Sequence, residues 1–155
     1  MGLGYIGLPT AIISAKHGVD VVGVDINPRV VDVTNQGKLH IIEPGMEDML
    51  QEVLEAGKFK AYTEPLLSDA YFIVVPTPFK GDHEPDISYV EAATRMVVPL
   101  LKDGDLYVIE STSPIGTTEK MAELIFSLRP ELRDKVYIAY CPERVLPGNV
   151  IYELV

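Results

Sequence analysis

Near the start of the chain three glycines stand at the spacing of a phosphate cradle, Gly2-Leu3-Gly4-Tyr5-Ile6-Gly7. In a G-x-G-x-x-G turn the first glycine makes the tight bend and the second lets backbone approach a pyrophosphate. The third lets the next helix pack close to a sheet. The anion rests on the unpaired N–H groups and positive end of that helix. Glycines cluster in many turns, so the hexapeptide alone is weak evidence. Its surroundings strengthen it. A helical apolar pattern follows at once (Leu8, Ile12, Ile13) and stops at Gly18, and an apolar strand then carries Val19, Val21, Val22 and Val24. That strand ends in Asp25, eighteen residues after Gly7, where a carboxylate meets an adenosine ribose. The chemistry implied is dinucleotide binding.

Three further turns collect hydroxyls and prolines: Val75-Pro76-Thr77-Pro78, Ser111-Thr112-Ser113-Pro114 and Cys141-Pro142-Glu143-Arg144. Each follows a predicted strand, and ligands of open parallel sheets bind outside the carboxyl ends of the strands. Prolines there stiffen the walls around a flat nicotinamide, and threonine hydroxyls can bond its amide or ribose. His17, at a helix end, reads as compensating the dipole or facing solvent. Asp82, His83, Glu84 and Asp86 are metal-ligand types in one acidic loop, without tetrahedral or octahedral spacing, so no metal site is expected. No Cys-x-x-Cys, zinc helix, P-loop lysine or Gly-x-Ser-x-Gly elbow occurs.

The elements that must position these turns alternate in type. Asn27-Pro28 predicts a capped helix start running to Asn35, stopped by Gly37. Gly37 to Gly45 reads as an excursion. Met46, Met49, Leu50, Val53 and Leu54 repeat at helical spacing up to Gly57. Phe59 to Thr63 predicts a short strand. Ala70 to Val75 predicts a buried one, apolar without alternation and covered on both faces. Pro76 to Asp86 holds three prolines and a glycine, which predicts a loop. Asp86 then caps a helix with Val90, Ala93, Val97 and Leu101 inward. Leu106 to Ile109 predicts a strand, Met121, Leu124, Ile125 and Leu128 a helix, and Val136 to Tyr140 a last strand. The alternation predicts the α/β class: a Rossmann-type, doubly wound parallel sheet with right-handed crossovers, in one domain over 1–155.

Length and composition agree. A chain of 155 residues, 47% hydrophobic, supports one ordinary domain. Its net charge of −10 argues against nucleic acid or an anionic membrane as partner. The single cysteine, Cys141, excludes a disulfide within the chain and fits a reducing, cytoplasmic setting. It reads as a small buried residue. No apolar run reaches the ~18 residues of a membrane span. Only Met1 precedes the glycine turn, although such a turn normally ends a strand. The expectation is therefore a fragment lacking the first, central strand, with weak cofactor affinity. Another segment or chain would then fill the slot, and edge-to-edge pairing into a dimer is the alternative role.

GLGYIGLPTA, GVDIN, VPTPFKGDHEPD, ESTSPIGTTEKMAE and CPERVLPG, in this order, resemble the amino-terminal part of the UDP-glucose/GDP-mannose dehydrogenase family of nucleotide-sugar 6-dehydrogenases. Within it the PERVLPG segment is more similar to the branch acting on UDP-acetamido sugars. UDP-glucose and GDP-mannose enzymes tend to carry Pro-Glu-Phe-Leu with a second acid, and here those places hold Arg144 and Pro147.

The resemblance implies oxidation of a sugar CH2OH to a carboxylate with two NAD+, through a cysteine-bound thiohemiacetal and thioester. The family's nucleophilic cysteine and assisting lysine lie beyond Val155, so Cys141 is not that nucleophile and this stretch alone is expected not to turn over. The resemblance further implies NAD contacts from Gly2, Gly4, Tyr5, Ile6, Gly7, Asp25, Thr77 and Thr118. Asp25 favours NAD over NADP, since a 2′-phosphate would meet a carboxylate. Thr112 matches a threonine near the reacting carbon, and Glu143 a glutamate close to the sugar. Arg144 and Val145 match substrate contacts. Residue by residue the alternatives are a helix cap or surface side chain for Thr118, a turn hydroxyl for Thr112, and a surface ion pair for Glu143 and Arg144. A UDP-sugar is the implied substrate, and a homo-oligomer the implied complete enzyme.

Overall fold

The computed structural model describes residues 1–81 and 84–142, which fall into two compact units, 1–65 and 66–142. In the first, the glycine turn leads into α1 (Gly7–Lys16), then β1 (Val21–Val24), α2 (Pro28–Asn35), α3 (Met46–Glu55) and β2 (Phe59–Tyr62). β1 and β2 pair in parallel, Val21 opposite Phe59 and Val24 opposite Tyr62. A parallel pair needs a long crossover, and the segment carrying α2 and α3 supplies it.

Local sequence explains the boundaries. Gly18, at φ +94°, takes the left-handed conformation just past α1. His17 Nδ1 lies 2.9 Å from the Ile13 carbonyl there, the helix-end role expected of it. The Asn27 side chain accepts the Arg29 N–H at 3.1 Å, and Pro28 takes the first helical position. The side chain of Asn35 imitates a neighbouring strand: it donates to the Ala61 carbonyl and accepts the Ala61 N–H, both at 2.9 Å. Leu3, Leu8, Ile12, Met46, Leu50, Val53 and Phe59 form the core.

The second unit holds β3 (Ala70–Ile73), β4 (Phe79–Lys80), β5 (Glu84–Pro85), α4 (Ser88–Val97), β6 (Leu106–Ile109), α5 (Thr117–Leu128) and β7 (Tyr137–Tyr140). The sheet order is β3-β6-β7, all parallel, with Ile73 opposite Ile109 and Ile109 opposite Tyr140. Helices join the parallel strands, so the predicted α/β class is the one observed.

Two expectations change. β3 alternates: Tyr71 and Ile73 are buried, while Phe72 is 41% exposed. The non-alternating strand is β6, whose Tyr107, Val108 and Ile109 are all buried because it is the middle strand. Within the predicted loop, β4 and β5 form a short antiparallel ladder, Phe79 opposite Pro85 and Lys80 opposite Glu84. Proline excludes a central strand but not an edge, and a two-stranded ladder has only edges. Asp86 stands one residue short of the cap expected of it: the N-cap of α4 is Ile87, with no side-chain cap, while Asp86 Oδ1 accepts the Ser88 N–H at 2.9 Å and meets Lys80 Nζ at 2.8 Å. Among the described residues no helix is long and apolar enough to cross a membrane.

Candidate functional site: the glycine turn and the hydroxyl-bearing strand tips

In the first unit the glycine turn is fastened to the carboxyl end of β1. Gly2, at φ +92°, donates its N–H to the Val24 carbonyl at 2.7 Å. Leu3 donates its N–H to Asp25 Oδ2 at 3.0 Å, and Asn27 its N–H to Asp25 Oδ1 at 2.9 Å. One carboxylate thus grips the turn with one oxygen and the start of α2 with the other. Leu3 itself is buried and anchors the turn in the core.

Beyond this anchor the backbone is open to a ligand. Among the described residues the N–H groups of Gly4, Tyr5, Ile6 and Gly7 have no partner, as the first turn of a helix leaves them. The first turn of α1 carries no acid, and Lys16 sits in its last. A Cβ placed on Gly4 would meet nothing within 4 Å. Among the described residues nothing therefore requires glycine at position 4, whereas close approach of a phosphate does. Tyr5 is 45% exposed and Ile6 half-buried beside it. These are the properties of a pyrophosphate cradle, and the residues fit a dinucleotide.

In the second unit the turns after β3 and β6 and the end of β7 are stitched together by hydroxyls. Ser111 Oγ accepts the Val75 N–H at 2.8 Å and donates to the Ile73 carbonyl at 3.3 Å. Thr77 Oγ1 donates to the Thr112 carbonyl at 2.6 Å. The Ser113 N–H donates to the Tyr140 hydroxyl at 3.1 Å. Thr77 and Thr112 are therefore brought together. The Thr112 side chain is exposed, and its hydroxyl has no partner among the described residues.

Thr118 lies in the first turn of α5, half-buried; the helix has no side-chain cap, so Thr118 does not cap it. Its neighbour Thr117 bonds the Pro114 carbonyl instead, at 2.8 Å. Cys141 is exposed rather than buried, because it stands just past β7 with only its N–H tied back, to the Ile109 carbonyl at 2.9 Å. Glu143, Arg144 and Val145 lie outside the described residues, as do Asp82 and His83. Among the described residues no three His, Cys, Asp or Glu side chains converge as metal ligands. Sequence reasoning gave Ser111 no role of its own within its hydroxyl turn, and it missed Tyr140. The available signal was position alone: one opens the hydroxyl turn after β6, and the other closes β7.

Comparison with known proteins bears on the same residues. The family model "UDP-glucose/GDP-mannose dehydrogenase family, NAD binding domain" matches residues 1–155. The chain is 52% identical to UDP-N-acetyl-D-mannosamine dehydrogenase of Escherichia coli, an alignment that takes in all of this chain and 39% of that protein. It is 48% identical to the NDP-N-acetyl-D-galactosaminuronic acid dehydrogenase of Ralstonia nicotianae, over all of this chain and 38% of the other. Among solved structures, UDP-N-acetyl-mannosamine dehydrogenase from Staphylococcus aureus superposes with a TM-score of 0.93 at 45% identity, over 99% of this chain and 38% of that one. The chain thus spans about two fifths of the length of the curated relatives it matches.

Proposed function

Because this chain belongs to the UDP-glucose/GDP-mannose dehydrogenase family, as its NAD-binding domain, we propose that 1–155 is the cofactor-binding domain of a cytoplasmic UDP-N-acetyl-D-mannosamine 6-dehydrogenase. The overall reaction converts the sugar CH2OH, two NAD+ and water into the uronate, two NADH and three protons. Bound NAD+ supplies the hydride acceptor. The glycine turn and the free N–H groups at the start of α1 take the pyrophosphate. Each oxygen of Asp25 keeps lone-pair capacity beyond its one N–H bond and accepts a ribose hydroxyl. A 2′-phosphate at that place meets a like charge.

Thr77 and Thr118 of the second unit are proposed as further cofactor contacts. With its proton on the Thr112 carbonyl, Thr77 Oγ1 offers lone pairs only, so it accepts from the cofactor. Thr112 stands by the reacting carbon, and Glu143, Arg144 and Val145 attend the sugar. The full-length enzyme is proposed to be a homo-oligomer whose nucleophile comes from a later segment.

The observation that carries this reading is the bond from Leu3 N–H to Asp25, which places the β1-tip acid against the glycine turn. Titration calorimetry with NAD and NADP tests it. NAD binding with NADP about tenfold weaker or worse is expected. A chain that binds neither refutes the assignment.

The relative from Ralstonia favours a second reading, a 6-dehydrogenase for another UDP-acetamido sugar. Profiling the full-length protein on UDP-sugars separates the two. The strand order favours a third: among the described residues β3 is an end strand of its sheet, which suits edge pairing into a dimer. An obligate dimer without NAD affinity is its signature.

A further inference from the structure

We propose that Tyr140 is a positioning residue for the Thr112 turn, an inference that rests on the cofactor reading above. Tyr140 ends β7, opposite Ile109, and its hydroxyl straddles Ser113. It accepts the Ser113 N–H at 3.1 Å and donates to the Ser113 carbonyl at 3.4 Å. The residue before, Thr112, has its carbonyl held by Thr77 at 2.6 Å. The residue after, Pro114, has its φ fixed by its ring. Ser113 Oγ closes the bend on the Ser111 carbonyl at 3.0 Å. All these bonds hold main chain, and none engages the hydroxyl of Thr112, which stays exposed and without a partner among the described residues. A turn pinned on both sides of one uncommitted hydroxyl presents that hydroxyl at a set place and direction, which is how binding groups are pre-organised. Tyr140 is the part of this clamp contributed by another strand. Neither cofactor nor substrate need touch it.

Tyr140→Phe removes both bonds and keeps the ring in β7. The variant and the parent chain are titrated with NAD and with ADP-ribose, which lacks the nicotinamide. Exchange of the Ser113 amide is followed in parallel. Because Thr77, the proposed cofactor contact, is bonded to the Thr112 carbonyl of this turn, the expected result is NAD affinity about three- to tenfold weaker. ADP-ribose affinity stays unchanged and the Ser113 amide exchanges faster. Unchanged NAD affinity overturns the proposal. So does an equal loss for NAD and ADP-ribose, which signals a general weakening of the fold. A parent chain that binds neither ligand brings down the cofactor reading itself, a result separate from either of those.

Discussion

Leu3 and Asp25, twenty-two residues apart, are joined by a 3.0 Å bond from backbone N–H to carboxylate. The same carboxylate holds Asn27 N–H at 2.9 Å, so a single acid ties the glycine turn, the end of β1 and the start of α2 together. Its removal therefore acts on shape as well as on ligand charge.

Asp25→Ala leaves two main-chain donors without their partner. Charge-assisted bonds of this kind contribute about 1.5–3 kcal/mol each when buried, and less at a half-exposed site. NAD affinity should fall at least about tenfold. Asp25→Asn should retain more NAD affinity than Asp25→Ala while narrowing the gap between NAD and NADP. Calorimetric titration of both variants with both nucleotides is the check. A wider gap in Asp25→Asn would contradict the assigned role.

Gly23 is a packing requirement. A Cβ there would lie 2.7 Å from Phe59 Cζ and 3.2 Å from Leu3 Cδ2. Both neighbours are buried, and Leu3 belongs to the glycine turn. Gly23→Ala should destabilise the protein by about 1–3 kcal/mol, the usual cost of overpacking. Adding Phe59→Leu should recover part of it, read from urea midpoints as a double-mutant cycle.

Acid should release Asp86. The bond from Lys80, then those from Ser88, hold its carboxyl down to about 2, below the ordinary carboxylate range. A folded-state value below the unfolded one means stability present near neutrality and lost as pH falls from about 4 towards 2. Asp86→Asn should therefore be less stable than the parent at pH 6 and indistinguishable from it near pH 2. Unfolding followed across that range decides.

Alkali should act on Tyr107. Burial pushes its phenol up to about 12, partly offset by the Thr94 hydroxyl 2.5 Å away. A raised value for an acid means the neutral form is favoured in the native state. That stability is complete below the ordinary tyrosine value near 10 and is lost as pH rises from 10 to 12. Tyr107→Phe should remove this part of the alkaline transition, at a cost of about 1 kcal/mol at neutral pH for the lost hydrogen bond. Tyrosinate absorbance alongside circular dichroism measures both.

Much of the architecture was legible from local signals. Asn27 and Pro28 mark the start of α2, Gly18 lies just past the end of α1, and the apolar run 106–109 coincides with β6. Caps, left-handed glycines and apolar periodicity act within a few residues, so a linear reading captures them. The glycine turn and Asp25 were legible for the same reason, since one turn, one helix and one strand separate them. Tertiary structure alone decided the rest. Burial of β3 depends on which faces its neighbours cover, and Cys141 is exposed because of where β7 ends. The bonds of Thr77 to Thr112 and of Tyr140 to Ser113 join residues 35 and 27 apart. They form only because parallel register sets the tips of β3, β6 and β7 side by side, and that register comes from the packed sheet, which no single segment encodes.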